Sequence, residues 1–194
     1  MVHDGARGAG SPAGPGAVGS PSAVEDPEAA ARELCLRLLT ARARTRSELA
    51  TALRGRKVPD DVARRVLERL DEVGLVDDRE FAGQWVRSRH RSRGLGRRAL
   101  AVELSRKGVA ADAAEEALAE VDPASERARA EELVIRRLRA MTVASEDERV
   151  RAGRRLVGML TRKGYSARLS YAVVRAALAS YGADEDELGP ADLD

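Results

Sequence analysis

One segment of this 194-residue chain occurs three times. A shift of 56 positions aligns residues 97–109, RRALAVELSRKGV, with residues 153–165, GRRLVGMLTRKGY, without a gap. A shift of 51 positions brings the first third into the same frame, so that Leu49 corresponds to Leu100. A repeat of about 50 residues is typical of proteins that stack copies of one supersecondary unit, because each copy alone has a small core.

Helix-start signals divide each repeat into three predicted helices. The signals are two capping boxes and two prolines suited to the first helical position: Thr45 with Glu48, Ser145 with Glu148, Pro59 and Pro123. The second helix of units two and three ends in Arg-Lys-Gly, where Gly108 and Gly164 supply the positive φ of a helix exit. In the first unit Lys57 occupies the glycine position, which predicts a differently built exit turn.

These signals predict an all-α protein with three tandem three-helix repeats that form an elongated curved rod. Aromatic residues make up only 3% of the chain, which favours closely packed helices of Leu, Val and Ala. We expect disordered N- and C-terminal tails. The predicted boundaries are a Gly/Pro/Ala/Ser-rich tail at 1–28, repeats at 29–76, 77–122 and 123–181, and an acidic tail at 182–194.

The formal net charge of +2 hides an uneven distribution of charge. Residues 29–181 contain 33 Lys and Arg against 22 Asp and Glu, an excess of 11 positive charges. Such a basic body predicts an anionic partner, such as nucleic acid or an acidic protein groove. An Arg-rich genome is an alternative source of the high Arg content, but it does not account for the excess of positive charge.

The sequence argues against an intrachain disulfide, a signal peptide and a membrane span. Cys35 is the only cysteine, which excludes an intrachain disulfide and predicts a buried thiol. Residues 1–27 lack the apolar region of a signal peptide, and no run of about 18 apolar residues predicts a membrane span. We therefore expect a cytoplasmic protein that does not enter membranes.

The most concentrated positive charge lies between Gly74 and Val109. Asp77 is predicted to cap the helix that carries Phe81 and Trp85, and a Gly94-Leu95-Gly96 break separates it from the next helix. The spacing predicts that Arg89 packs over Trp85 as a cation–π pair. It also predicts an i, i+4 ion pair between Glu103 and Lys107. His90 and the arginines away from the apolar stripe are better placed to contact a partner.

Catalysis is not expected from this sequence. His3 and His90 are far apart and no His, Cys or carboxylate cluster has ligand spacing. The Gly94-Leu95-Gly96 segment lacks the third glycine of a dinucleotide loop, and no phosphate-binding P-loop occurs. We expect neither a cofactor nor a catalytic or metal site.

Two segments of the sequence resemble the RecX family, regulators of the bacterial recombinase RecA. The matching residues are GLVDDREFA at 74–82, Trp85, Arg89, Gly94, Leu100, Glu103-Leu104, Lys107-Gly108-Val109 and, upstream, LRLLTARARTRSEL at 36–49. The resemblance extends over residues 29–181. It implies a helical rod that lies in the groove of the RecA filament on single-stranded DNA and opposes RecA ATPase, recombinase and coprotease activity.

The resemblance and the charge pattern together predict a binding surface for the RecA filament and DNA phosphates on a monomer. The predicted contacts are Arg87, Arg91, Arg93, Arg97 and Arg98, with Arg106, Lys107, Arg162 and Lys163 in support. A solvated basic face is the alternative interpretation of the same residues.

A stand-alone DNA-binding module is the second function that the sequence allows. Three-helix units with basic helices also resemble helix-turn-helix architecture, and binding to duplex phosphates would need only the arginines. Scarce aromatic residues argue against a stacking platform for single strands. The acidic segment from Asp184 to Asp194 is either a solubilising tail or a segment that folds back on the basic body.

Overall fold

The computed structural model describes residues 26–187, with side chains described through residue 181. This part of the chain forms nine helices and no strand. They are α1 (Pro27–Ala41), α2 (Arg46–Gly55), α3 (Asp60–Glu72), α4 (Asp78–Arg93), α5 (Arg97–Arg106), α6 (Ala111–Ala119), α7 (Pro123–Leu138), α8 (Glu146–Arg162) and α9 (Ala167–Glu187). The predicted all-α fold is confirmed.

The helices pack in threes, and each three has its own hydrophobic core. We call them unit 1 (α1–α3), unit 2 (α4–α6) and unit 3 (α7–α9). The core of unit 1 centres on Leu49 and Leu53, that of unit 2 on Leu100 and Leu104, and that of unit 3 on Leu156 and Leu160. These pairs occupy equivalent positions of the repeat, so the spacing of the buried leucines places the same helix face inward in each unit.

Helix caps explain most of the boundaries. Thr45 and Glu48 form the predicted capping box, and the Asp77 carboxylate accepts hydrogen bonds from the backbone N–H groups of Arg79 and Glu80. Pro123 is the first residue of α7, as predicted. Pro59 is instead the N-cap residue of α3, which begins one residue later than expected.

The second helix of every unit ends in the same turn. Lys57, Gly108 and Gly164 occupy equivalent positions and have φ values of 59°, 72° and 88°. The expectation of a different exit turn in unit 1 is therefore wrong. In each unit the residue after the left-handed one donates its backbone N–H to the carbonyl of the leucine five positions earlier. In unit 1 this hydrogen bond runs from Val58 to Leu53. This hydrogen bond holds Lys57 in a conformation that usually favours glycine.

That turn also joins the units. The C-terminal turn of α8 contacts the N-terminus of α5, where the Gly96 N–H donates to the Lys163 carbonyl at 2.8 Å. The C-terminal turn of α5 contacts the N-terminus of α2, where the Thr45 hydroxyl donates to the Lys107 carbonyl at 2.7 Å. Unit 2 thus contacts both neighbours, and the three units form an elongated row. We call these contacts the 1–2 joint and the 2–3 joint.

The predicted tails fall mostly outside the described residues. Residues 1–25 and 188–194 are not described, so the expectation of disorder is untested there. Helix α1 begins at Pro27, and α9 continues to Glu187 within the predicted acidic tail. Cys35 is fully buried in the core of unit 1, as predicted, and burial raises the pKa of its thiol.

Two substitutions in equivalent turns should have opposite effects on stability. A Cβ atom at Gly164 would overlap the backbone nitrogen of Ala99, so Gly164→Ala should lower the free energy of unfolding by about 2 kcal/mol or more. Lys57→Gly removes an unfavourable left-handed side-chain residue and should raise it by about 0.5 to 1 kcal/mol. Urea unfolding followed by circular dichroism measures both. Equal effects at the two positions would contradict this account.

Candidate functional site

Most of the predicted contact residues lie near the C-terminus of α4 and the 2–3 joint, whereas Arg106 and Lys107 lie at the 1–2 joint. Gly94 ends α4 with a φ of 60°, and His90 Nδ1 lies 2.9 Å from the carbonyl oxygen of Leu95 in the break. Lys163 Nζ donates to the Arg93 carbonyl at 2.6 Å, and the Arg129 guanidinium donates to the Arg91 carbonyl. Two cations of unit 3 thus satisfy the last carbonyls of α4, where positive charge is favoured by the helix dipole.

The 2–3 joint concentrates positive charge. Burial lowers the pKa of Lys163, and the nearby charges of Arg136 and Arg129 lower it further. Shifting the sequence by 51 positions aligns Glu48 with Ala99, so α5 has no carboxylate at the position of Glu48. The carboxylate at its N-terminus is that of Glu126, which accepts the Arg97 backbone N–H at 2.9 Å. No carboxylate among the described residues pairs with Lys163. Lys163 therefore keeps an unpaired positive charge at this joint, whereas Lys107 is paired at the 1–2 joint.

The nine predicted contact residues separate into two groups. Four are engaged within the protein. Arg87 pairs with Glu120 at 2.8 Å, and Arg97 donates to the Val121 carbonyl at 3.0 Å. Lys107 donates to Glu48 at 2.6 Å, and Lys163 donates to the Arg93 carbonyl. Five have exposed side chains and no ion pair with any described residue: Arg91, Arg93, Arg98, Arg106 and Arg162. The second group is free to contact a partner.

The repeat identifies a basic residue that the sequence analysis missed. A shift of 56 positions aligns Arg98 with Arg154 and Arg106 with Arg162. All four side chains are exposed on α5 and α8, whose ends meet at the 2–3 joint. The alignment that revealed the repeat could have identified Arg154. Arg129 and Arg136 were also missed, because only the packing of α7 against α4 and α8 brings them to the joint.

At the 1–2 joint the positive charges are paired with a carboxylate or an aromatic ring. Lys107 Nζ pairs with Glu48 and lies 4.5 Å from the centroid of the Trp85 ring, and Arg89 lies 4.1 Å from the same ring. The predicted packing of Arg89 over Trp85 is confirmed. The predicted Glu103–Lys107 ion pair is wrong, because Glu103 accepts a 2.8 Å hydrogen bond from Trp85 and Lys107 turns to the preceding unit.

Positive charge is unequally shared among the units. Lys and Arg exceed Asp and Glu by four in residues 29–76, by zero in residues 77–122 and by seven in residues 123–181. The arginines between Gly74 and Val109 are thus balanced by acids of the same unit. Residues 123–181 hold most of the excess, and the four acids at the end of α9, Asp184 to Glu187, offset four of these seven positive charges.

The described part of the chain has neither a metal-ligand cluster nor a membrane-spanning helix. Residues 26–181 contain no group of three or more His, Cys, Asp or Glu side chains placed to hold a metal ion. None of the helices between residues 26 and 187 has both the length and the apolar composition needed to cross a bilayer.

The fold and the exposed arginines define a tandem-repeat helical protein with a basic surface. A family profile for the first three-helix domain of RecX matches residues 31–70, and one for the second domain matches residues 77–118.

Relatives extend the match over most of the chain. "Regulatory protein RecX" of Mycolicibacterium smegmatis is 55% identical over 161 residues, which cover 81% of this chain and 86% of the relative. The protein of the same name from Thermobifida fusca is 50% identical, over 90% of this chain and 93% of the relative. The chain belongs to the RecX family of regulatory proteins.

Solved structures share the fold. The crystal structure of RecX from Lactobacillus salivarius superposes with a TM-score of 0.69 at 20% identity and covers 79% of this chain and 98% of that chain. A second RecX crystal structure superposes with a TM-score of 0.66 at 24% identity, over 78% and 72% of the two chains. The described helices are therefore arranged as in known members of the family.

Acid should weaken the 1–2 joint through Glu48. Burial alone would raise the pKa of Glu48, but hydrogen bonds from Arg42 and Lys107 and the charge of Lys107 hold it at about 2, below the ordinary 4.5. This stabilisation is complete above pH 4.5 and is lost as the pH falls through 2. We expect Glu48 to contribute up to about 3 kcal/mol to the free energy of unfolding above pH 4.5.

The measurement is urea unfolding between pH 2 and 6, followed by the fluorescence of Trp85, the only tryptophan. Glu48→Gln should lower stability at pH 6 and flatten its dependence on pH. Glu68→Gln, at an exposed position of α3 with no ion pair to a described residue, is the control. An unchanged pH dependence in Glu48→Gln would contradict the proposed role of this carboxylate.

Proposed function

We propose that the protein binds the RecA filament on single-stranded DNA and inhibits RecA ATPase, strand exchange and coprotease activity. The row of units would lie along the filament groove in the cytoplasm, where it would bridge neighbouring protomers. Membership of the RecX family supports RecA as the partner. The proposed contacts are the exposed group of predicted residues, with Arg154 added.

The observation that carries the proposal is the position of the exposed arginines on successive elements of a jointed row. Arg93 and Arg98 lie on either side of the α4–α5 break, and Arg162 precedes the turn that meets α5. Their guanidinium groups are suited to bidentate contact with carboxylates or phosphates. A row of units with charge distributed along it is suited to an extended anionic partner, whereas a small substrate requires an enclosing pocket.

The four engaged residues have a supporting part in this proposal. Lys107 and Lys163 fix the angles between units, and Arg87 fixes α4 against the end of α6 through Glu120. Changing them would alter the shape of the row as well as its charge. Tests of partner contact therefore require the exposed residues.

Titration of the RecA ATPase on single-stranded DNA tests the proposal. We expect inhibition at ratios well below one protein per RecA protomer, and we expect it to persist with excess competitor duplex DNA. Arg93→Gln/Arg98→Gln should raise the half-inhibitory concentration by about tenfold, since each charge-assisted contact contributes roughly 1 kcal/mol or less.

Arg32→Gln/Arg64→Gln is the matched control, because it removes the same charge from exposed positions of unit 1 that have no ion pair with a described residue. It should inhibit as the unaltered protein does. The absence of inhibition at any ratio would refute the proposal. Inhibition that competitor DNA abolishes would instead support the stand-alone DNA-binding module.

A further inference from the structure

Unit 3 has an open groove between α8 and α9 with a volume of about 670 Å³. Its floor is apolar and includes Val157, Val174 and Leu178, and its rims carry Arg154 on α8 and Arg175 on α9. The lining residues of α8 extend from Glu146 to Gly158, a length of about 18 Å along the helix. The groove is therefore long, shallow and basic at both edges.

The chain around this groove contains no acidic residue over a long stretch. Residues 149–181 include eight Lys and Arg and no Asp or Glu. Elsewhere in the row, basic side chains are interspersed with carboxylates, as in the ion pairs of Arg79 with Asp112 and Glu116. Between residues 149 and 181 the α8–α9 pair therefore has a positive potential, which attracts polyanions. Acidic residues lie only at the ends of the two helices, where α8 begins with Glu146, Asp147 and Glu148 and α9 ends at Glu187.

Two glycines in the middle of α8 keep the groove open. Gly153 and Gly158 line it and lie in regular helix, where glycine is less stable than alanine. A Cβ atom at Gly153 would lie 3.4 Å from Leu178 Cδ1, an ordinary contact, and one at Gly158 would meet only the flexible Arg162 side chain at 3.2 Å. Packing therefore does not require glycine at either position. Their structural effect is the depth of the groove.

An exposed aromatic ring lies at the edge of the same groove. Tyr171 is 65% exposed, whereas Phe81 and Tyr165 are buried. Arg168 and Arg175 are three residues before and four residues after it on α9, so all three lie on one side of the helix. Few aromatic residues in the sequence argued against a stacking platform, but the structure places one of them in solvent among arginines.

We infer that this groove binds single-stranded nucleic acid, with a base stacked on Tyr171 and phosphates at Arg154 and Arg175. A positive groove combined with an accessible aromatic ring is the arrangement by which proteins bind single strands without sequence preference. An acidic amphipathic helix would instead need deep pockets for large apolar side chains, and this groove is shallow with an exposed ring at its edge. The inference rests on the proposed function only for the source of the strand, the DNA of the filament.

Fluorescence anisotropy of a labelled oligothymidylate with the full chain, in the absence of RecA, tests the inference. Tyr171→Ala should weaken binding by about fivefold or more, and Tyr171→Phe should leave it unchanged, because stacking requires the ring and not the hydroxyl. Arg154→Gln/Arg175→Gln should reduce the slope of log affinity against log salt by about 1.4, the value for two phosphate contacts on a single strand. Arg32→Gln/Arg64→Gln should preserve that slope.

Gly153→Ala/Gly158→Ala separates binding from folding. These substitutions should raise the melting temperature, since alanine favours the helix, and should weaken oligonucleotide binding by filling the groove. Unchanged affinity in Tyr171→Ala would overturn the inference. The inference would also be overturned if the groove variants bound an acidic peptide more weakly than the unaltered protein does but bound the oligonucleotide equally well.

The RecA ATPase titration distinguishes this failure from failure of the proposed function. If the unaltered protein inhibits the RecA ATPase but Tyr171→Ala binds the oligonucleotide normally, the groove is refuted and the proposed function is retained. Loss of oligonucleotide binding in Tyr171→Ala, with no ATPase inhibition by the unaltered protein, would retain the groove and refute the proposed function.

Discussion

The contact on which the row depends is between the C-terminal turn of one second helix and the N-terminus of the second helix in the preceding unit. The left-handed residue of the turn reverses the chain and leaves the Lys107 and Lys163 carbonyls available to the neighbour. At the 2–3 joint the backbones come so close that a Cβ at Gly96 would lie 2.9 Å from Gly164 and Tyr165. Because each unit has its own small core, these contacts decide whether the units form one structure.

The two joints share this backbone arrangement and differ in what their side chains do. At the 1–2 joint Lys107 is surrounded by Glu48 and two aromatic rings, so its charge stabilises the contact. At the 2–3 joint Lys163 meets only a carbonyl and lies near other cations. Opposite charges close together lower the free energy of the folded row, whereas like charges oppose it. The 2–3 joint thus retains a positive potential that an anionic partner could neutralise.

Features that depend on adjacent residues could be predicted from the sequence. The Thr45–Glu48 capping box, the glycine turns, the buried Cys35 and the packing of Arg89 on Trp85 each involve residues within a few positions or one helical face. The partner of Lys107 could not be predicted in this way, because Glu48 lies 59 positions away and in another unit. The exit turn at Lys57 could not be predicted for a related reason. The hydrogen bonds of the turn outweigh the preference of a lysine against a left-handed backbone. For the candidate site, sequence identified basic residues but not which were free, because ion pairs such as Arg87–Glu120 form between helices.

The second helix of unit 3 begins earlier in the repeat than those of units 1 and 2. In units 1 and 2 the N-terminus of the second helix, at Thr45 and Gly96, receives the turn of the next unit. The equivalent position in unit 3 is Ala152, which is buried inside α8 because that helix begins six residues earlier. These additional residues, about two turns, lengthen the helix that forms one wall of the groove. The longer α8 thus gives unit 3 a groove wall that begins at Glu146, whereas α5 of unit 2 begins at Arg97, next to the Arg98 that corresponds to Arg154.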